Sequence, residues 1–136
     1  MQGDRISGVA VDGGVPVDSP SDGGPLATDP LRWLCRGLFA PGLAETLAWQ
    51  PFRLGVAIHP LHGQPGETAA AALLRYQPGA SIPAHQHLGF EHILILEGSQ
   101  EDEQGVYTAG TLLVHGPGTR HSIHSAEGCL VLAIWS

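Results

Sequence analysis

The sequence contains no lysine. Six arginines are its whole basic complement, set against 13 acidic residues, and the formal net charge is −7 over 136 residues. Affinity for nucleic acid comes mainly from Lys and Arg neutralising phosphates, so no nucleic-acid partner is expected. Charge of either sign is scarce at 14%, where an average domain carries about 25%. Together with 43% apolar residues, this excludes a chain disordered throughout, because disorder needs low hydrophobicity and high charge. Cys35 and Cys129 are the only cysteines. Two are too few for a disulfide framework and fit a reducing compartment. No apolar run approaches the 18 or so residues of a membrane span, and the N-terminus lacks the apolar stretch of a secretory signal. A cytoplasmic protein without a membrane partner is expected.

What the chain does have is unevenly distributed. Residues 1–29 are rich in Gly and Pro, hold five Asp against one Arg, and show no apolar periodicity. They read as a flexible acidic arm. Asp29-Pro30 resembles an N-cap followed by Pro at the first helical position. Leu31, Leu34, Cys35 and Leu38 then follow at helical spacing until Pro41-Gly42, predicting one short N-terminal helix. Leu43 to Trp49 is ambiguous between helix and strand. From about residue 50, short apolar runs alternate with turn residues: Leu54 to His59, Ala70 to Tyr76, Glu91 to Glu97, Thr111 to His115 and Cys129 to Trp135. Strand-length runs at this spacing predict an all-β antiparallel barrel or double-sheet jelly roll. The expectation is one domain over residues 30–136, with its barrel core at about 50–136.

Six of the eight histidines fall between His85 and His124. The informative stretch is His85-Gln86-His87-Leu88-Gly89-Phe90-Glu91. On a strand, His85 and His87 point to one face. A tight turn at Leu88-Gly89 would return Glu91 against both imidazoles, and His121 could join from a later strand. Three imidazoles and one carboxylate suit one divalent transition ion, Fe, Zn, Mn, Ni or Cu.

The spacing carries a further meaning. Gly79, His85, His87, Glu91 and Gly98 stand at the intervals of the first cupin motif, and Gly110, Gly118 and His121 fit the second. Gly116 and Ser125 replace the Pro and Asn of that second motif. Within the superfamily the chain resembles ChrR-type cupin domains, through Glu91, Ile93 to Gly98, Asp102-Glu103, Gly105, Tyr107, Ala109-Gly110, His121 and Gly128-Cys129. The resemblance implies a small barrel of two packed sheets, with the metal held by His85, His87, Glu91 and His121. ChrR-type proteins also carry an N-terminal zinc domain built on a His-x-x-x-Cys-x-x-Cys motif. Here Cys35 stands alone and no histidine precedes residue 50, so the sigma-binding half is not expected.

The remaining candidates read as ordinary. His92 and His124 should face away from the site by parity. His115 could line a cavity mouth or be a plain sheet histidine. His59 and His62 flank Pro60 without a spacing signal. Glu97, Glu101, Asp102 and Glu103 read as a solvated hairpin, and Cys129 as a buried thiol. The strand from Glu91 to Glu97 is apolar on both faces, so both faces need a cover, and a homodimer is expected. Three functions follow. The first is a mononuclear dioxygenase-like enzyme acting on a small organic substrate. The second is a sensor or regulatory module that binds metal and a small molecule. The third, a purely structural ion, fits least, since closed structural zinc sites favour Cys-rich tetrahedra.

Overall fold

A computed structural model describes residues 34–136. The acidic arm and the predicted helix start therefore lie outside the described residues. The chain divides into two units, residues 1–48 and 49–136. Among the described residues of the first unit, the helical element is a one-turn 3₁₀ helix, Leu43–Thr46, closed by the Thr46 hydroxyl donating to the Leu43 carbonyl at 2.7 Å. Residues 34–39, the described part of the expected helix, are not helical, and the stretch left open between helix and strand opens with this turn. Gly37 and Gly42 adopt φ of 73° and 83°, a left-handed conformation that interrupts a helix.

The second unit is almost entirely antiparallel strand. β1 (Gln50–Arg53), β2 (Val56–His62) and β3 (Ala70–Tyr76) form a meander whose last strand pairs with β9 (Cys129–Trp135). β9 pairs in turn with the long β5 (Glu91–Asp102), whose first half also carries β7 (Leu112–His115). The second half of β5 carries β6 (Gly105–Thr108) and touches β8 (Arg120–Ser125), beside which β4 (Ala80–Gln86) forms the end of the order. β5 therefore runs through both halves of a curled sheet. The turning point is local: the register slips between Ile95 and Glu97, and Gly98 takes φ of 77°. Such bulges bend the strand and increase its twist. This curled antiparallel sheet is the all-β architecture that the strand-length runs predict, and it agrees with the small barrel that the resemblance implies.

Alternation along the strands builds the core. Val56, Ile58, Ala72, Leu74, Ile93, Ile95, Ile123, Val131 and Ala133 point inward. Ile95 and Val131 are fully buried, each worth about 1.5–3 kcal/mol of apolar transfer. The same inward rows end in polar residues. On β5 the row Ile95, Ile93 ends at Glu91; on β9, Val131 and Ala133 end at Trp135; on β8, Ile123 is followed by His121. Glu91 pairs with Trp135 on one side and His115 on the other. One end of the barrel is thus polar because the sequence changes residue type there, without any change in strand direction.

Candidate metal centre

His85 near the end of β4 lies directly opposite His121 on β8. His87 follows just beyond β4, tied to the β7–β8 loop by its N–H donating to the Thr119 carbonyl (2.9 Å) and its carbonyl accepting from Gly118 N–H (2.8 Å). The chain then crosses Leu88-Gly89-Phe90 to Glu91. Gly89 is needed there for close approach, since a Cβ would run into the Ser136 carbonyl oxygen. Phe90 and Ser136 exchange backbone hydrogen bonds at 2.8 and 3.0 Å, which pins the crossing.

The result brings together all four residues singled out by spacing. One ligand atom from each of His85, His87, Glu91 and His121 lies within 4.8 Å of every other. His87 Nε2 is 2.9 Å and His121 Nε2 3.9 Å from Glu91 Oε1. Two donors each about 2.1 Å from a common ion and roughly 90° apart would sit about 3 Å from one another. The buried atoms His87 Nε2, Glu91 Oε1 and both His121 nitrogens have no hydrogen-bond partner. Unsatisfied buried groups cost about 1–3 kcal/mol each, and a cation is the species that would satisfy this set. The donor chemistry and the orphaned atoms fit a divalent transition ion.

Neighbouring groups fix which atoms are presented. The Thr119 hydroxyl donates to the Gly116 carbonyl at 2.7 Å, so at 2.9 Å it must accept from His87 Nδ1–H. His87 Nε2 is then the lone pair. His85 Nδ1 lies 3.0 Å from the Pro83 carbonyl, which can only accept, so Nε2 is free there also. Glu91 Oε2 accepts from Trp135 Nε1–H at 2.9 Å, leaving Oε1 for the centre. Such outer partners orient ligands and set tautomers. Burial holds the His87 imidazole below its ordinary value, against the opposing pull of Glu91. Burial, reinforced by His115, His85 and His87, pushes His121 down to about 4. Both are neutral, metal-competent imidazoles at neutral pH.

A cleft of about 1050 Å³ opens beside His85, His87 and Glu91, walled by Phe52, Ile82, Phe90, Ile93, Ile123 and Trp135. A smaller hollow of about 530 Å³ lies beside His115 and His121, with Asp102, Tyr107 and Arg120 at its walls.

The profile of the ChrR cupin-like domain matches residues 43–134. The chain belongs to the ChrR cupin-like family. This cupin superposes on a chain of the Rhodobacter sphaeroides SigE complex with the anti-sigma ChrR with TM-score 0.62 and 26% identity, over 76% of this chain and 61% of that one. It therefore spans under two thirds of that chain's length. KdgF from Halomonas sp. matches at TM-score 0.54 and 24% identity over 63% of this chain and 82% of its own. An acetylacetone dioxygenase from Acinetobacter johnsonii matches at TM-score 0.56 and 18% identity over 64% and 67%. The last two likenesses are of fold. No curated protein sequence matches the chain.

Two residues at this cupin's centre were not assigned from the sequence. His115 stacks on His87 with ring centres 5.0 Å apart, tilts over His121 at 4.2 Å, and brings Nδ1 to 3.7 Å from Glu91 Oε1. Sequence alone does not assign it, because only the register, which sets it opposite Glu91, decides its face. The acidic run places Asp102 in a solvated hairpin. Instead its side chain is about nine-tenths buried, with Oδ2 3.8 Å from His121 Nδ1. Glu103 does stay on the surface, where it accepts from the Ser122 hydroxyl (2.6 Å) and N–H, and the Ser122 side chain first of all lowers its carboxyl. His124 meets Ser81 away from the centre, as parity required. Cys129 is buried and forms no disulfide, and burial pushes its thiol up to about 11.

Proposed function

We propose that this cupin binds one divalent transition ion per chain through His85, His87, Glu91 and His121, and acts as a dioxygenase-like enzyme on a small organic substrate. The observation that carries the reading is the convergence of four oriented ligand atoms at the edge of an open, largely apolar cleft. Four protein ligands would leave up to two positions open on an ion that prefers six donors. Bound there, the ion supplies a Lewis-acid and redox template for dioxygen and a chelating substrate. The protein's own part is positioning. Phe52, Ile82, Phe90 and Trp135 offer apolar surface to the carbon skeleton and exclude water from it. Glu91, held by Trp135, keeps one oxygen on the centre. Exposed Leu88 and Phe90 border the entrance and favour an apolar ligand. An acetylacetone dioxygenase shares the fold, which adds β-diketones to the substrates worth testing.

A second reading, a metal- and ligand-binding sensor or regulatory module, is favoured by the family match and by the likeness to a chain of the SigE–ChrR complex. One experiment separates the two. Metal analysis of protein purified without chelators is followed by oxygen uptake with phenols and β-diketones. Iron, manganese or copper with substrate-dependent uptake supports the enzyme; zinc without uptake supports the module.

We further infer a homodimer. Leu112 and Val114 on β7 and Ile134 on β9 are exposed, and they share the outward face of β5 with His92 and Leu94. A second copy covers that face in this reading, and light scattering that gives only a 14.2 kDa particle at micromolar concentration overturns it. No helix among the described residues is long and apolar enough to cross a membrane. A cytoplasmic location is proposed on the strength of the two cysteines alone.

A further inference from the structure

Three of the four ligand side chains have their second polar atom tied down: His85 by the Pro83 carbonyl, His87 by the Thr119 hydroxyl, Glu91 by the Trp135 indole. His121 is the exception. Its side chain is about nine-tenths buried, and Nδ1 has no hydrogen-bond partner. The carboxylate facing that nitrogen is Asp102, with Oδ2 at 3.8 Å. Asp102 is itself fixed through its other oxygen. Oδ1 accepts from the Tyr107 hydroxyl at 2.9 Å and from Gln104 N–H at 2.8 Å.

We infer that Asp102, braced by Tyr107, is the positioning residue for His121: it accepts a hydrogen bond from Nδ1–H and so turns the Nε2 lone pair toward the ion. This rests on the ligand set proposed above. A swing of Oδ2 by about 1 Å around the anchored Oδ1 brings it to hydrogen-bond distance, about 2.8 Å for a charge-assisted pair. The pairing does two things. It selects one tautomer of a ring neither of whose nitrogens otherwise has a hydrogen-bond partner, and it raises the basicity of the coordinating nitrogen. The β5–β6 hairpin explains why the carboxylate is there. Asp102 closes β5 opposite Gly105, and the Tyr107 ring reaches back over that turn to hold it. Asp102, His115 and His121 are also close enough to share a cation of their own. That arrangement would need both His121 nitrogens to coordinate, with loss of the Nδ1 proton, whereas the positioning role needs only the proton a neutral imidazole already carries.

The test uses the full chain loaded with zinc. Affinity is measured by competition with a chromophoric chelator for wild type, Asp102→Ala, Asp102→Asn, Tyr107→Phe, Glu101→Ala and His121→Ala. Asp102→Ala is expected to weaken zinc binding 10- to 100-fold, Tyr107→Phe several-fold, and Glu101→Ala not at all. Asp102→Asn, which keeps a neutral acceptor, recovers part of the loss. In the zinc-loaded wild type, nitrogen-detected histidine spectra should show His121 coordinated through Nε2, with a protected Nδ1 proton that disappears in Asp102→Ala. Where Asp102→Ala does not fold, Tyr107→Phe, Asp102→Asn and the wild-type spectrum decide. Wild-type affinity in the Asp102 variants alongside loss in His121→Ala overturns the positioning role and leaves the ligand set standing. Undiminished affinity in His121→Ala overturns the ligand set itself. Two zinc ions per chain, one of them lost in Asp102→Ala, would assign Asp102 to a second ion instead and overturn the inference.

Discussion

Thr119→Val is the sharpest test of how the centre is prepared. The hydroxyl receives the Nδ1 proton of His87 at 2.9 Å because its own proton is committed to Gly116 at 2.7 Å. Valine keeps the shape and removes the acceptor. The His87 proton then has a better place on Nε2, where Glu91 Oε1 stands 2.9 Å away and can accept it. The variant therefore exchanges one hydrogen bond for another without an ion. Its stability should fall only by the lost bond to Gly116, about 0.5–1.5 kcal/mol, which lowers the melting temperature by several degrees at most. Metal binding now has to expel the Nε2 proton and break the new His87–Glu91 bond. Removing an outer-shell partner costs about 10- to 100-fold in affinity, or about 1.4–2.8 kcal/mol. Thr119 faces solvent, where water replaces part of the hydroxyl, so about tenfold is expected. Competition titration with zinc at pH 7.5 reads this directly, and Thr119→Ser should restore affinity to within about threefold of wild type. Equal affinity of Thr119→Val and wild type would refute the tautomer assignment.

Other outcomes follow from the same geometry. Trp135→Phe removes the donor on Glu91 Oε2 and should also weaken zinc binding about tenfold, measured by the same titration, with the core left packed. For the metal-free protein, His121 is depressed to about 4 from an ordinary 6.5, first of all by burial, so the unfolded chain takes up the proton first. Stability should hold above about pH 7 and decline as pH falls from 6.5 toward 4, seen as a falling melting temperature; a flat profile over that window excludes it. Zinc at a thousandfold excess over its dissociation constant should stabilise the fold by about 4 kcal/mol, a shift of more than ten degrees for a domain this small, reversed by chelator. Gly98→Ala should be severely destabilising by thermal melt, because φ is 77° and the new Cβ would run into the Gly128 carbonyl oxygen.

How much of this was legible in the sequence depends on what each residue's position is set by. The convergence of His85, His87, Glu91 and His121 could be read because motif spacing fixes their places within one turn and one strand pair. Strands β3, β5 and β9 announced themselves as apolar runs. β4 and β8 did not. β4 contains Pro83, which donates no hydrogen bond and is tolerated where the strand pairs on one side only, as it does with β8,. β8 turns His121, Ile123 and Ser125 inward, so two of its three core-facing residues are polar and no apolar alternation remains. The helix expected over Leu31–Phe39 had a good start signal, yet left-handed Gly37 falls inside it. His115 and Asp102 could not be placed at all without the pairing register.

The outer residues matter more than their distance from the chemistry implies. Four neutral or anionic donors crowded at one barrel end repel one another and leave buried lone pairs unpaired, so such a cluster without an ion is a local loss of stability. It persists because the partners of those donors lie in backbone and strand positions held for other reasons. Pro83 is part of β4, Thr119 closes the β7–β8 turn, and Trp135 ends a strand whose preceding inward residues are core. None of the three has to be ordered when a ligand arrives. Preorganisation of this kind removes the cost of orienting each side chain at the moment of binding, and it makes the choice of donor atom a property of the fold. With the proposed ligand set, the identity of the ion would depend on donor type and open positions, which are set by His85, His87, Glu91 and His121. The strength of its binding would depend on the second atom of each donor, which is set by residues that never touch it.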